Sequence, residues 1–170
     1  MKQTWGHVMT TLRMLVVDDD GPMRRGVTEL LEMHPGWHVV GEAANGREAV
    51  EKAAQLDPDV VTLDVSMPVL DGISAAPLIH EVRPRAELIV LSQHDVPAMV
   101  NKALDAGVRG YVLKSRASRD LVPAVEAACH RDSFVSAEIK VDRPQARSGS
   151  EHPANAAKSS GTAARVEEDA

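Results

Sequence analysis

The sequence predicts an α/β fold in which five parallel β-strands alternate with helices. Short apolar runs recur along the chain, and segments with helical periodicity separate them, as in proteins built from repeated βα units. Most of these runs are continuous Val, Ile or Leu, which is typical of strands covered by helices on both faces. The five runs are residues 14–17, 38–41, 60–63, 88–91 and 110–113.

The first two predicted helices carry clear start signals. Pro22 is favoured at the first position of a helix, and apolar residues follow it at helical spacing. Asn45 with Glu48 three residues later resembles a capping box, in which each side chain satisfies a free backbone N–H of the first turn. We therefore expect helix one to begin near Pro22 and helix two to be capped by Asn45.

The last three predicted helices have weaker signals. Asp95 is a candidate N-cap for helix four, with Gly107 as its stop, and Ser118 is a candidate N-cap for helix five. Helices three and five contain Pro77 and Pro123, each of which removes one backbone hydrogen bond.

The character of the chain changes near its C-terminus. Beyond residue 140 only Val141 and Val166 are apolar groups larger than Ala or Pro, so this segment cannot bury enough surface to offset its ordering entropy. The predicted organisation is an N-terminal extension at 1–11, one domain at 12–132, a short extension at 133–140 and a disordered tail at 141–170.

Composition excludes several classes of protein. The formal net charge of −6 argues against a general binder of nucleic-acid phosphates. Cys129 is the single cysteine, so an intramolecular disulfide framework is excluded and a reducing compartment is favoured. No apolar stretch is long enough for a signal peptide or a membrane span. We therefore expect a cytoplasmic protein without a membrane partner.

Polar side chains collect at the carboxyl ends of the predicted strands. These ends share one edge of a parallel sheet, where ligands of open α/β sheets bind. The residues concerned are Asp18, Asp19 and Asp20 after strand one, Asp64 after strand three, Ser92 after strand four and Lys114 after strand five. Clustered carboxylates repel one another, and Mg²⁺, which prefers oxygen ligands, would remove that repulsion. Asp19 and Asp64 suit direct coordination, and Asp18 suits contact through water.

Four segments together resemble the landmarks of response-regulator receiver domains. They are LVVDDD at 15–20, LDVSMP at 63–68, DG at 71–72 and GYVLKS at 110–115. The resemblance covers roughly residues 12–130. It implies a flavodoxin-like (βα)5 fold with the strand order 2-1-3-4-5 and helices on both faces. The Lys114–Ser115 ending resembles the NarL/LuxR-type subgroup, whose usual helix-turn-helix output domain has no counterpart in residues 141–170. Whether the Lys114–Ser115 bond is cis or trans stays open.

The resemblance also implies roles for individual residues. Asp64 would be the phosphoacceptor, and Mg²⁺ would be held by Asp18, Asp19, Asp64 and the backbone carbonyl of Ser66. Phosphate binding and switching would involve Ser92, Tyr111 and Lys114. The implied function is a two-component receiver that takes its phosphoryl group from a sensor histidine kinase or a phosphotransfer protein. It would then change its protein contacts, including a possible homodimer through the helix four–strand five–helix five face. Such a switch is not an enzyme acting on a separate substrate.

Two alternatives stay open at this stage. The chain could belong to a phosphorylation-regulated transcriptional regulator that lacks its DNA-binding domain here, in which case no DNA binding is expected from this chain alone. It could instead be a Mg²⁺-dependent aspartyl phosphatase of the haloacid-dehalogenase type. Those enzymes place the nucleophile on strand one in an Asp-x-Asp-x-Thr pattern, and Pro22 stands where that pattern requires Thr.

Overall fold

The computed structural model describes residues 11–140. Residues 1–10 of the predicted extension at 1–11 and the whole predicted tail at 141–170 lie outside the described residues. The strands are β1 Leu12–Val17, β2 Trp37–Ala43, β3 Val60–Asp64, β4 Glu87–Ser92, β5 Gly110–Leu113 and β6 Phe134–Val135. The helices are α1 Gly21–Glu32, α2 Gly46–Leu56, α3 Gly72–Val82, α4 Pro97–Asp105 and α5 Ala117–Cys129, with one 3-10 turn at Lys114–Arg116.

All six strands are parallel and form one sheet with the order β2-β1-β3-β4-β5-β6. The predicted flavodoxin-like order 2-1-3-4-5 is confirmed. The sequence did not predict β6, which adds two residues to the edge of β5 by pairing Phe134 with Gly110 and Val135 with Tyr111. So short a strand carries no periodic pattern, and its hydrogen-bond partners come from β5.

Helices cover both faces of the sheet, as predicted. Alternate residues of each strand point to opposite faces, so Leu15 and Val17 pack on one side while Met14 and Val16 pack on the other. The first side is covered by α2, α3 and α4, and the second by α1 and α5. Because the strands are parallel, the carboxyl ends of β1 to β5 lie at the same edge of the sheet.

The first two helix starts agree with the sequence. Pro22 lies in the first turn of α1, where the Asp20 carboxylate accepts from the Met23 N–H. The Asn45 side chain accepts from the Glu48 N–H at 2.9 Å, and the Glu48 carboxylate accepts from the Ala44 N–H at 2.9 Å. The Glu48 contact is thus made one residue earlier than in the expected capping box.

The caps predicted for α4 and α5 are wrong. Val96, not Asp95, is the N-cap of α4, because Pro97 holds the preceding residue in extended backbone and the helix begins at the proline itself. Helix α5 follows directly from the 3-10 turn and begins at Ala117, so Ser118 lies inside its first turn.

The backbone after β5 is regular. Residues 11–140 contain no cis peptide bond, so Lys114 and Ser115 are joined by a trans bond. None of the helices within the described range is long and apolar enough to cross a membrane.

Candidate functional site

Three carboxylates meet at the carboxyl edge of the sheet. Asp18 and Asp19 follow β1, and Asp64 ends β3, which pairs directly with β1. One oxygen from each carboxylate lies within 4.8 Å of the others. Asp18 and Asp64 are buried and Asp19 is exposed, so the cluster opens to solvent on the Asp19 side.

Lys114 bridges the two buried carboxylates. Its Nζ lies 2.7 Å from Asp18 Oδ2 and 3.1 Å from Asp64 Oδ1. Burial alone would lower the pKa of Lys114, but the hydrogen bonds to Asp18 and Asp64 outweigh it and raise that pKa, so the ammonium stays charged. Lys114 therefore places one positive charge between the Asp18 and Asp64 carboxylates.

Asp64 is the carboxylate whose ionisation is disfavoured. Burial raises the pKa of Asp64, and the negative charge of Asp18 adds to this, while Lys114 and the Ser66 N–H oppose it. If all three carboxylates are ionised, one ammonium leaves two of their negative charges unbalanced. A divalent cation would supply that balance and favour the ionised form of Asp64.

The donor set fits Mg²⁺. Hard divalent cations take carboxylate and carbonyl oxygens, and Mg²⁺ retains water on its remaining positions. The exposed Asp19 side leaves room for that water, and a cleft of about 690 Å³ opens there between the β3–α3 loop and α4. The cluster can therefore hold a cation and still admit a further ligand.

The loop after β3 is shaped around Asp64. The Ser66 N–H donates to Asp64 Oδ1 at 3.3 Å, which fixes the loop against the carboxylate. The carbonyl of Ser66, predicted as a metal ligand, belongs to the same loop. A Cβ on Gly72 would lie 2.1 Å from the Asp64 carbonyl oxygen, so only glycine lets α3 begin so close to the end of β3.

Ser92 and Tyr111 form a second polar group beside the carboxylates. The Ser92 hydroxyl accepts from the His94 N–H at 3.0 Å, and the Tyr111 hydroxyl donates to the His94 carbonyl at 2.9 Å. Both side chains are buried. Burial raises the pKa of Tyr111, so its hydroxyl remains a protonated donor. The backbone of His94 thus joins the two predicted switch residues.

Arg24 is a contact of the site that the sequence did not reveal. Its Nη1 donates to the backbone carbonyl of Asp18 at 2.7 Å, and its Nε donates to Glu42 at 2.9 Å. An arginine in the first turns of an amphipathic helix is ordinary in sequence, and Glu42 lies 18 residues away on β2. Nothing in the local pattern links the two.

Comparison with known proteins shows the family of this chain. The family described as "Response regulator receiver domain" matches residues 14–126. A protein-glutamate methylesterase/protein-glutamine glutaminase of Alkalilimnicola ehrlichii is 48% identical over 104 residues, which cover 61% of this chain and 27% of that protein. The response regulator protein VraR of Staphylococcus aureus is 34% identical over 131 residues, which cover 77% of this chain and 63% of VraR.

A solved structure extends the likeness to three dimensions. The crystal structure of a LuxR-family two-component response regulator from Aurantimonas sp. superimposes with a TM-score of 0.73 at 35% identity, covering 76% of this chain and 93% of that one. The NarL/LuxR-type resemblance in the sequence is in keeping with this neighbour. The chain spans less than two thirds of the length of either curated relative.

Proposed function

Because this chain belongs to the response regulator receiver domain family, we propose that it is a phosphorylated switch of two-component signalling in which Asp64 is the acceptor. The donor would be the phosphohistidine of a sensor histidine kinase or of a phosphotransfer protein. An Asp64 oxygen forms the new bond to phosphorus while the bond from phosphorus to the imidazole nitrogen breaks. The released imidazole then takes a proton from solvent.

The observation that carries this proposal is the position of Lys114 between two buried carboxylates, 2.7 Å from Asp18 and 3.1 Å from Asp64. Phosphoryl transfer depends mainly on positioning and on charge stabilisation around the transferred oxygens. Asp64 ends β3, with β1 on one side and β4 on the other. Its carboxylate is thus flanked by the acidic pair on one side and by Ser92 at the end of β4 on the other.

Each remaining residue has a distinct task in this proposal. Bound Mg²⁺ would supply charge neutralisation for the phosphoryl oxygens, and its protein ligands would be Asp18, Asp19, Asp64 and the Ser66 carbonyl. Lys114 keeps its positive charge and attracts the phosphoryl oxygens to Asp64. Ser92 offers a hydroxyl proton, now directed at Met99 Sδ at 4.0 Å, that can be donated to a phosphoryl oxygen instead.

The Ser92–His94–Tyr111 group supports a route from the site to the protein's contacts. A ligand shifts a two-state element only through contacts that differ between the states. If the Ser92 side chain rotates to donate to the phosphoryl group, the bond that it accepts from the His94 N–H changes as well. The carbonyl of His94 accepts from the Tyr111 hydroxyl, so a shift of His94 reaches Tyr111. We propose that this exchange alters the α4–β5–α5 face.

Output through protein contacts is part of the same proposal. A homodimer through the α4–β5–α5 face would have to include β6, since β6 occupies the edge of β5. DNA binding is not proposed for this chain alone, and the single cysteine supports a cytoplasmic location. Methylesterase activity is not proposed, because the likeness to that relative covers only 27% of its length.

Phosphorylation with a small donor tests the proposal. Incubation with acetyl phosphate and Mg²⁺ should add the mass of one phosphoryl group to the intact protein, and EDTA should prevent it. Asp64→Ala should abolish the gain. Asp20→Asn is the matched control, because it removes a neighbouring charge while an amide oxygen can still cap α1. Equal labelling of wild type and Asp64→Ala would refute the assignment, and multiple turnover of acetyl phosphate's phosphoryl group onto water at enzyme-like rates would favour a phosphatase.

A further inference from the structure

We propose that Arg24 is a positioning residue of the metal site, which orients the Asp18–Asp19 peptide so that the Asp19 carboxylate points at the cation. This inference rests on the proposed function, since it concerns the same Mg²⁺ site. Arg24 itself does not reach the carboxylate oxygens in this arrangement. It acts on the backbone that carries them.

The Arg24 guanidinium is held at two points. Its Nη1 donates to the Asp18 carbonyl at 2.7 Å, and its Nε donates to Glu42 Oε2 at 2.9 Å. Glu42 is fixed in turn, because its second oxygen accepts from the Thr28 hydroxyl at 2.9 Å. The side chain of Arg24 is only 22% exposed. The guanidinium therefore ties the end of β1 to both α1 and β2.

The bonded carbonyl controls the direction of Asp19. The Asp18 C=O and the Asp19 N–H belong to one planar peptide unit, so fixing the carbonyl fixes the plane from which the Asp19 side chain leaves. The Asp18 side chain has its own restraints, since Lys114 and the Asp20 N–H contact it. No hydrogen bond or ion pair within residues 11–140 restrains the exposed Asp19 carboxylate. Its backbone is thus its main restraint before a cation binds.

Arg24 contributes to the metal site through its geometry and not through its charge. Burial alone would raise the pKa of Glu42, but the hydrogen bonds from Arg24 and Thr28 outweigh it and lower that pKa, so Glu42 is ionised at neutral pH. The Arg24–Glu42 pair consequently adds no net charge beside the carboxylates. A planar guanidinium can donate to the carbonyl and to Glu42 together, whereas an ammonium is a single point charge without that fork.

The test is a titration of the full chain with Mg²⁺, in which NMR amide chemical shifts report binding. It is carried out at a temperature well below the unfolding transition. Arg24→Gln should weaken Mg²⁺ binding about tenfold, the lower end of the effect of partners that orient metal ligands. Arg24→Lys should remain several-fold weaker than wild type, roughly three- to fivefold, because it restores charge without the fork. Arg25→Gln is the matched control: it removes the same charge from the next, exposed position of α1 and should stay within about twofold of wild type.

Two further readings separate positioning from general stability. In acetyl phosphate labelling, the Mg²⁺ concentration for half-maximal rate should rise with Arg24→Gln while the rate at saturating Mg²⁺ recovers. The Asp19 amide shift should move in the variant even without metal. Thr28→Val, which keeps the charges of Arg24 and Glu42 but removes the hydrogen bond that fixes Glu42, should weaken Mg²⁺ binding about threefold and decides the matter if Arg24→Gln does not fold.

The outcomes distinguish this inference from the proposed function. Wild-type affinity in Arg24→Gln and Thr28→Val would overturn the positioning role and leave the proposed function standing. Equal weakening by Arg25→Gln would show a general effect on α1, and full recovery in Arg24→Lys would show that the guanidinium fork is not needed, so either result would overturn the positioning role. By charge alone, the loss of a cation would instead strengthen Mg²⁺ binding. A wild-type chain that binds no Mg²⁺ and takes no phosphoryl group would overturn both.

Discussion

Replacement of Ser136 by alanine should destabilise the fold more than its position near the end of the described chain suggests. Ser136 is fully buried beside β5. Its hydroxyl donates to Asp120 Oδ2 at 2.7 Å and accepts from the Leu113 N–H at 3.2 Å. Its own N–H donates to the Tyr111 carbonyl at 3.0 Å. One small side chain therefore joins the strand that leads to Lys114, the helix α5 and the segment that contains β6.

The expected loss follows from the partners that Ser136→Ala leaves behind. A buried N–H without a partner, here that of Leu113, costs about 1–3 kcal/mol. A hydrogen bond to a charged group is worth about 1.5–3 kcal/mol, although Asp120 would keep its bond from Arg116 at 3.0 Å. Because the remaining structure relaxes partly, we expect a loss of about 3 kcal/mol, a large share of the ~5–15 kcal/mol typical of a domain.

Urea unfolding followed by circular dichroism measures this loss. The midpoint should fall at an unchanged slope, since the surface exposed on unfolding barely changes. Ser118→Ala is the matched control, because Ser118 is exposed in the first turn of α5 and its replacement should change stability by no more than about 0.5 kcal/mol. A loss below about 1 kcal/mol for Ser136→Ala would refute the reasoning and mean that water replaces the hydroxyl at both partners.

Three further changes test other features of the fold. Thr62→Val should stabilise it by about 1 kcal/mol in urea unfolding, because the buried Thr62 hydroxyl has no partner among the described residues, whereas Thr28→Val should destabilise it by removing the bond to Glu42. Val69→Asn should raise the free energy of unfolding by about 1 kcal/mol, because Val69 has a φ of 70°, which strains a β-branched residue but is tolerated by asparagine. The side chain of Val69 is 75% exposed, so little packing is lost, and Val69→Thr, which is still β-branched, should give no gain. Asp120→Asn should make the free energy of unfolding fall less steeply as pH decreases below neutral. Burial would raise the pKa of Asp120, but hydrogen bonds from Ser136 and Arg116 outweigh it and lower that pKa below 3.8. The contribution of Asp120 to stability is therefore complete above the unfolded pKa of about 4 and is lost as pH falls through the lower folded value. The same loss of stability on acidification in the variant and the wild type would contradict this.

The sequence was sufficient for the elements whose pattern is set by burial. Strands β1, β3, β4 and β5 are buried on both faces, so each is a nearly continuous apolar run and could be located. The edge strand β2 is only partly buried, and its shorter apolar run was still enough to locate it. The segment from Phe134 onwards lacks such a run. Its burial comes from tertiary partners instead: β6 pairs with β5, and Ile139 packs into the core cluster on the α2–α4 side. We accordingly expect the folded unit to extend to about residue 140, beyond the predicted domain end at 132.

The helix starts show where local rules compete. Asp95 is a good cap by residue type, but Pro97 removes the helical option from the residue before it and moves the cap position to Val96. Asn45 and Asp71 have no such competitor, and both side chains cap their helices. A cap can therefore be located from sequence when nothing nearby restricts the backbone more strongly than the capping hydrogen bond does.

In the candidate site, the contacts set by strand ends could be predicted from the sequence, whereas the contacts made by long side chains could not. Asp18, Asp64 and Lys114 lie at the ends of parallel strands, so their meeting follows from topology. Arg24 and Glu42 meet because a guanidinium extends from α1 to β2, and no spacing rule in the sequence specifies that contact. The link between Ser92 and Tyr111 is hidden for a different reason. It runs through the N–H and the carbonyl of His94, which every residue except proline can offer, so these two bonds place no other demand on the identity of residue 94.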